Sequence, residues 1–118
     1  MRSISPLLFA FSIPLAVGCA SFPAPTERMA SSEAAIRGAR EVGAETVPPA
    51  SLELKLAEEG LAQAKKLMAD GDNEAASRIL QRAQADAELA LALTRENRAQ
   101  SEAAQVAAQV AQLRGQTK

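Results

Sequence analysis

Leu67-Met68-Ala69-Asp70-Gly71-Asp72-Asn73-Glu74 decides how this chain folds. Asp70-Gly71-Asp72-Asn73 is its clearest punctuation. Gly71 suits the left-handed position just past a helix, because it carries no Cβ. Asp72 suits the N-cap of the next helix, and Glu74 complements that helix's dipole. So short a connection predicts two antiparallel helices.

Working backward, Pro49 can open the helix before the turn, since its missing N–H falls among the unpaired groups of a first turn. From there Leu54, Ala57, Leu61, Ala64 and Met68 fall at heptad a/d spacing. Leu56 and Leu67 widen the stripe, which predicts packing on more than one neighbour. Working forward, no breaker interrupts the chain from about Asn73 to about Leu113, a helix of roughly 60 Å. Its first half carries Ala76, Ile79, Leu80, Ala83, Ala87, Ala90 and Leu93, a seam of mostly small residues that lets a partner helix come close. Its second half is different. Ala99, Ala103, Val106, Val110 and Leu113 form a narrow stripe diluted by Gln100, Gln105, Gln109 and Gln112. The preceding helix is too short to cover it. This half therefore projects alone, or is covered by the first helix or by another chain.

A shorter leading element precedes both. Thr26 is expected as its N-cap, with Glu27 in the first turn. Met29, Ile36 and Val42/Gly43 give it a thin apolar stripe. Glu33/Arg37 and Arg37/Glu41 are spaced as surface pairs. Gly43 and then Pro48-Pro49 end it. The fold class expected is all-α: an antiparallel hairpin with a short leading helix and a long C-terminal one, three helices with coiled-coil character. Alanine makes up roughly a quarter of the residues after Thr26, as such helices require.

Composition excludes several functions. The formal charge is -1, so no basic excess is available to neutralise the phosphates of nucleic acid. Histidine, tryptophan and tyrosine are absent, and the phenylalanines are Phe9, Phe11 and Phe22. That removes base-stacking platforms, aromatic cages and aromatic pocket walls. No catalytic residue, cofactor site or metal site is expected. Asp70 and Asp72 flank Gly71 but lack the rest of a calcium loop. Asp86 is expected in a surface pair with Arg82, the sharper alternative being a polar contact to the first helix or a partner. Lys65-Lys66 is too short for an anionic-lipid patch.

The start of the chain has the three-part build of a secretory signal: Met1-Arg2-Ser3, then the apolar run Pro6 to Val17, then Gly18. The run is too short to span a membrane and contains Pro14. It ends at Cys19, the lone cysteine, which rules out an intramolecular disulfide. Leu15-Ala16-Val17-Gly18-Cys19 resembles the lipobox of bacterial lipoproteins. The resemblance implies cleavage before Cys19, a diacylglycerol thioether on its sulfur and acylation of its new amino group. Two or three chains make a stable anchor where one is marginal. Ala20 follows where an aspartate retains such lipoproteins at the inner membrane, which implies the periplasmic face of the outer membrane. The organisation expected is a signal peptide over 1–18, a lipidated tether over 19–25 and a helical domain over 26–118. Without Arg2 the mature part carries a formal charge of -2, from 12 basic and 14 acidic residues.

Between Ala35 and Leu93 the blocks Ala35-Ile36-Arg37-Gly38-Ala39-Arg40, Pro49-Ala50-Ser51-Leu52-Glu53-Leu54, Leu61-Ala62-Gln63-Ala64-Lys65, Gly71-Asp72 with Ala75 and Ala76, Ala83, and Asp86-Ala87-Glu88-Leu89-Ala90 follow in order. They resemble a family of short bacterial envelope lipoproteins whose alanine-rich helical module often precedes an OmpA-like, peptidoglycan-binding domain. Asn73 stands where that family carries an aromatic residue. No OmpA-like block follows here, so its peptidoglycan binding is not implied. Ala64 to Ala83 also resembles one tetratricopeptide hairpin, though such repeats recur every 34 residues and need about three copies to be stable. Lys118 matches the terminal lysine through which the major murein lipoprotein joins peptidoglycan, and a chance lysine there is the commoner case.

The function expected is a lipid-anchored, non-enzymatic structural or interaction module of the envelope. It would meet a protein partner or a second copy through Ala99, Ala103, Val106, Val110 and Leu113. The alternative is a tetratricopeptide-like accessory protein holding a peptide or partner helix in its hairpin groove.

Overall fold

The computed structural model describes residues 21–116. Helix α1 spans Thr26–Glu41, a single 3-10 turn spans Ala44–Thr46, α2 spans Pro48–Ala69 and α3 spans Asn73–Gln116. Among the described residues there is no strand, and the all-α class holds. α3 packs most extensively on α2, next on α1, while α1 and α2 touch little. α1 and α3 run the same way, α2 runs antiparallel to both, and α3 is the element that the other two share.

The turn at Gly71 forms as its residues require. Gly71 sits at φ +82°. The Asp72 N–H reaches the Leu67 carbonyl at 2.9 Å, and the Gly71 N–H reaches the Met68 carbonyl at 3.2 Å. These are the paired bonds of a Schellman end. The Asp72 carboxylate then accepts from the Ala75 N–H at 3.1 Å, capping α3. At the far end of α1, Gly43 takes φ +87° and donates to the Arg40 carbonyl at 2.9 Å. Pro48 and Pro49 occupy the first two positions of α2, one residue earlier than Pro49 alone indicates.

Thr26 does not cap α1. Its own N–H already bonds the Ala24 carbonyl at 2.9 Å, and Pro25 is the cap residue, accepting from Met29 at 3.0 Å. Pro25 cannot offer a side-chain acceptor, so this end has no side-chain cap.

The core is thin. Near the α1–α2 connection it comprises Ile36, Ala39, Ala44, Val47, Ala50, Leu54, Ala57, Ala87 and Ala90; nearer the Gly71 turn it is Ala64, Ala76 and Leu80. Ala83 completes the expected seam on α3, while Ile79 and Leu93 are only half-buried. α2 and α3 come close at Gly60 and Ala83: a methyl group on Gly60 would lie 3.1 Å from the Ala83 Cβ. Glycine is needed there for proximity, since the backbone is ordinary helix.

Among the described residues three hydroxyl side chains, Ser32, Ser77 and Thr94, are buried with the alanines. Ser32 on α1 is fully buried, and its Oγ lies 2.9 Å from both the Arg28 and the Leu80 carbonyls. The second contact joins α1 to α3. Thr94 donates to the Ala90 carbonyl at 2.8 Å, satisfying itself inside α3. Arg98 donates to the Val42 carbonyl at 3.3 Å, setting a cation at the C-terminal end of α1, where the helix dipole favours it.

The Gly71 turn sets the hairpin, and substitutions there rank it. Asp72→Ala is expected to cost about 1 kcal/mol through the lost cap. Gly71→Val is expected to cost more, about 1–2 kcal/mol of left-handed strain plus the local repacking. Urea unfolding followed by circular dichroism measures both, and a Gly71→Val midpoint equal to wild type would contradict this account of the turn.

Candidate interaction surface

All five expected contact residues lie on the part of α3 that outruns the bundle. Every residue from Arg95 to Gln116 is exposed. Val106, Val110 and Leu113 are 57%, 40% and 63% exposed, where core residues are near zero. At 100° per residue, positions 99, 103, 106, 110 and 113 fall within roughly 80° of one another around the helix. Ala99, Ala103, Val106, Val110 and Leu113 therefore make one continuous apolar stripe. Its only charged neighbours between 99 and 116 are Glu102 and Arg114. Neither α1 nor α2 reaches it. The bundle's last grip on α3 is a recess at the tail's root, where Val42, Thr46 and Val47 face Asn97, Arg98 and Ser101. Of the coverings the sequence left open, α1 is excluded. What remains is an uncovered helix face suited to apolar docking.

A second feature is the shallow groove between α1 and α2, floored by Ile36, Leu61 and Ala62. Two ion pairs cross it: Lys65 Nζ to Glu33 at 2.7 Å, and Arg40 to Glu58 at 2.7 Å. Glu33 thus pairs across helices with Lys65, where its spacing pointed to Arg37 on its own helix. A cross-helix partner on α2 comes within contact because α1 and α2 stand apart with only side chains to fill the gap. The hydrogen bond and charge of Lys65 hold the Glu33 carboxyl below the usual carboxylate range, with Arg37 adding a smaller effect.

The remaining acidic candidates are structural. Asp86 lies 3.9 Å from Arg82 and lines a recess with Leu56, Gly60 and Gln63, facing α2 and not α1. Asp72 is used as a cap. Among the described residues no cluster of acidic, histidine or cysteine side chains could hold a metal, and no helix is long and apolar enough to cross a membrane. Cys19 and Lys118 lie outside the described residues.

A contact of the leading segment also escaped sequence reasoning. Asn73 Nδ2 donates to the Phe22 carbonyl at 3.0 Å, and Pro25 is buried. The leading segment is thus folded onto the Gly71 end of the bundle.

The Glu33 pairing predicts a pH dependence. Its folded pKa lies below its unfolded one, so its contribution is fully present above the unfolded pKa and is lost as pH falls through the folded value. The melting-temperature advantage of wild type over Glu33→Gln is therefore expected at neutral pH and should close in acid, below about pH 4. A gap independent of pH would contradict the pairing.

No curated protein and no solved structure matches the chain. Residues 27–106, which run from the first turn of α1 to the middle of the exposed stripe, match the family described as Domain of unknown function (DUF4398), and the chain belongs to that family.

Proposed function

We propose that this is a lipid-anchored helical protein of the periplasm, held through Cys19 at the inner face of the outer membrane. It acts as a non-enzymatic structural or interaction module, and its working surface is the stripe Ala99, Ala103, Val106, Val110 and Leu113. The observation that carries the reading is the uncovered tail of α3. An isolated helix of this length gains little from propensity alone, and most helical stability comes from packing. A spacer has no use for valines and a leucine at 106, 110 and 113, all on one face. The signal-like segment ending at Cys19 supports the anchor. The α1–α2 groove is a poorer docking site for a peptide, because the Glu33–Lys65 and Arg40–Glu58 pairs already bridge it.

Two experiments test the reading. Cys19→Ala should move the protein from the membrane fraction to the soluble periplasm or leave it unprocessed; normal processing with unchanged fractionation would refute the anchor. Val106→Asp combined with Val110→Asp should abolish crosslinking to a protein partner or second copy in intact cells, with the unfolding midpoint of the bundle unchanged. A wild-type chain that is monomeric and yields no crosslinked species would refute the interaction surface.

A further inference from the structure

Phe22 is the described chain's one aromatic residue, and it is 46% exposed at the Gly71 end of the bundle. Its neighbours Pro23 and Ala24 are exposed too, so the tip of the leading segment is apolar. This tip is not loose. The Phe22 carbonyl is bonded to Asn73 in the first turn of α3, Pro25 is buried, and the Pro25 carbonyl accepts the first bond of α1.

Cys19 stands three residues before Phe22. Three residues reach at most about 11 Å. Even with the Asn73 bond open, buried Pro25 is six residues from Cys19, a reach of at most about 22 Å. Leu113 lies 40 residues beyond Asn73 in one helix, about 60 Å away. α1 runs the same way as α3, so no element carries the tail back toward the anchor. From 99 onward the charged residues are Glu102, Arg114 and Lys118, too few basic residues for a cluster that would draw the tail to anionic headgroups.

From these distances we infer that the Gly71 end of the bundle is a membrane-contacting surface, with Phe22 seated among the lipid headgroups and the α3 tail directed away from the bilayer. The inference rests on the lipid anchor proposed at Cys19. Aromatic and apolar side chains beside an anchored segment favour the boundary between headgroups and acyl chains. The segment after the lipid then works as a short strut that orients the bundle. The stripe from Ala99 to Leu113 is presented deep in the periplasm, beyond the reach of the membrane surface.

The chain has neither tryptophan nor tyrosine, so a single introduced indole reports alone. Phe22→Trp, Lys66→Trp and Leu113→Trp replace exposed residues at the tip, at the Gly71 end and on the tail. Each lipidated full-length variant is placed in vesicles of phosphatidylethanolamine and phosphatidylglycerol, and lipidation is scored separately from the mass of the N-terminal fragment. Brominated acyl chains should quench the Phe22→Trp variant strongly and leave the Leu113→Trp variant untouched. Energy transfer to dansyl-labelled headgroups should be several-fold higher from Lys66→Trp than from Leu113→Trp. Equal transfer from the two means a rod lying flat or swinging freely, and overturns the orientation while the anchor stands. Transfer in the right order without bromine quenching of Phe22→Trp overturns the seating of Phe22. An N-terminal fragment without lipid overturns the anchor and the inference together.

Discussion

Alanine fills little space, and a core made of it obliges its helices to lie close. Among the described residues, nine of the thirteen buried hydrophobic residues of the helical core are alanines. The larger ones are Ile36, Val47, Leu54 and Leu80. Each of those contributes about 1.5–3 kcal/mol on burial, against about 0.8 kcal/mol for a single methyl or methylene. The bundle must therefore recover stability through proximity. Gly60 against Ala83 is one such close contact, and the α2–α3 contact is the most extensive among the described residues. Ser32 fits the same constraint. It is small enough to sit between α1 and α3, and its hydroxyl is satisfied by the Leu80 carbonyl.

The close α2–α3 pairing also defines where the bundle stops. α2 has 22 residues and α3 has 44. Paired from the Gly71 turn, α2 is used up near the middle of α3. Thr94 is the last buried residue of α3, and Arg98 makes its last contact with the α1 end. Ser101, Glu102 and Gln105 still line a recess with Val42 and Val47, and past it α3 runs on uncovered by α1 or α2. The exposed stripe thus follows from a mismatch in length. Its apolar residues are what support the proposed reading as an interface over that of a plain spacer.

Much of this was legible in the chain because it depends on local chemistry. The Gly71 turn, the cap at Asp72, the proline start of α2 and the unbroken run of α3 each rest on neighbours in sequence. The stripe from Ala99 to Leu113 was legible for the same reason, since its spacing is that of one helix. What could not be read depends on tertiary placement. Ser32 is buried because Leu80, forty-eight residues away, lies against it. Glu33 chose Lys65 over Arg37 because α1 and α2 stand apart. Thr26 lost its capping role because the chain enters through Pro25, already folded back. Asn73 holds the Phe22 carbonyl, fifty-one residues away in sequence, which no local pattern could show.

The central claim is that residues 99–113 form an interface completed only by another molecule. Amide hydrogen exchange measures this directly, on the same chain as a dilute monomer and in the membrane to which the proposed anchor would hold it. The account predicts strong protection from Ala76 to Ala90 in both states. It predicts fast exchange from Ala99 to Leu113 in the monomer and marked protection of that segment in the membrane. Equally fast exchange of residues 99–113 in both states would contradict it, and would make the tail a spacer that nothing covers.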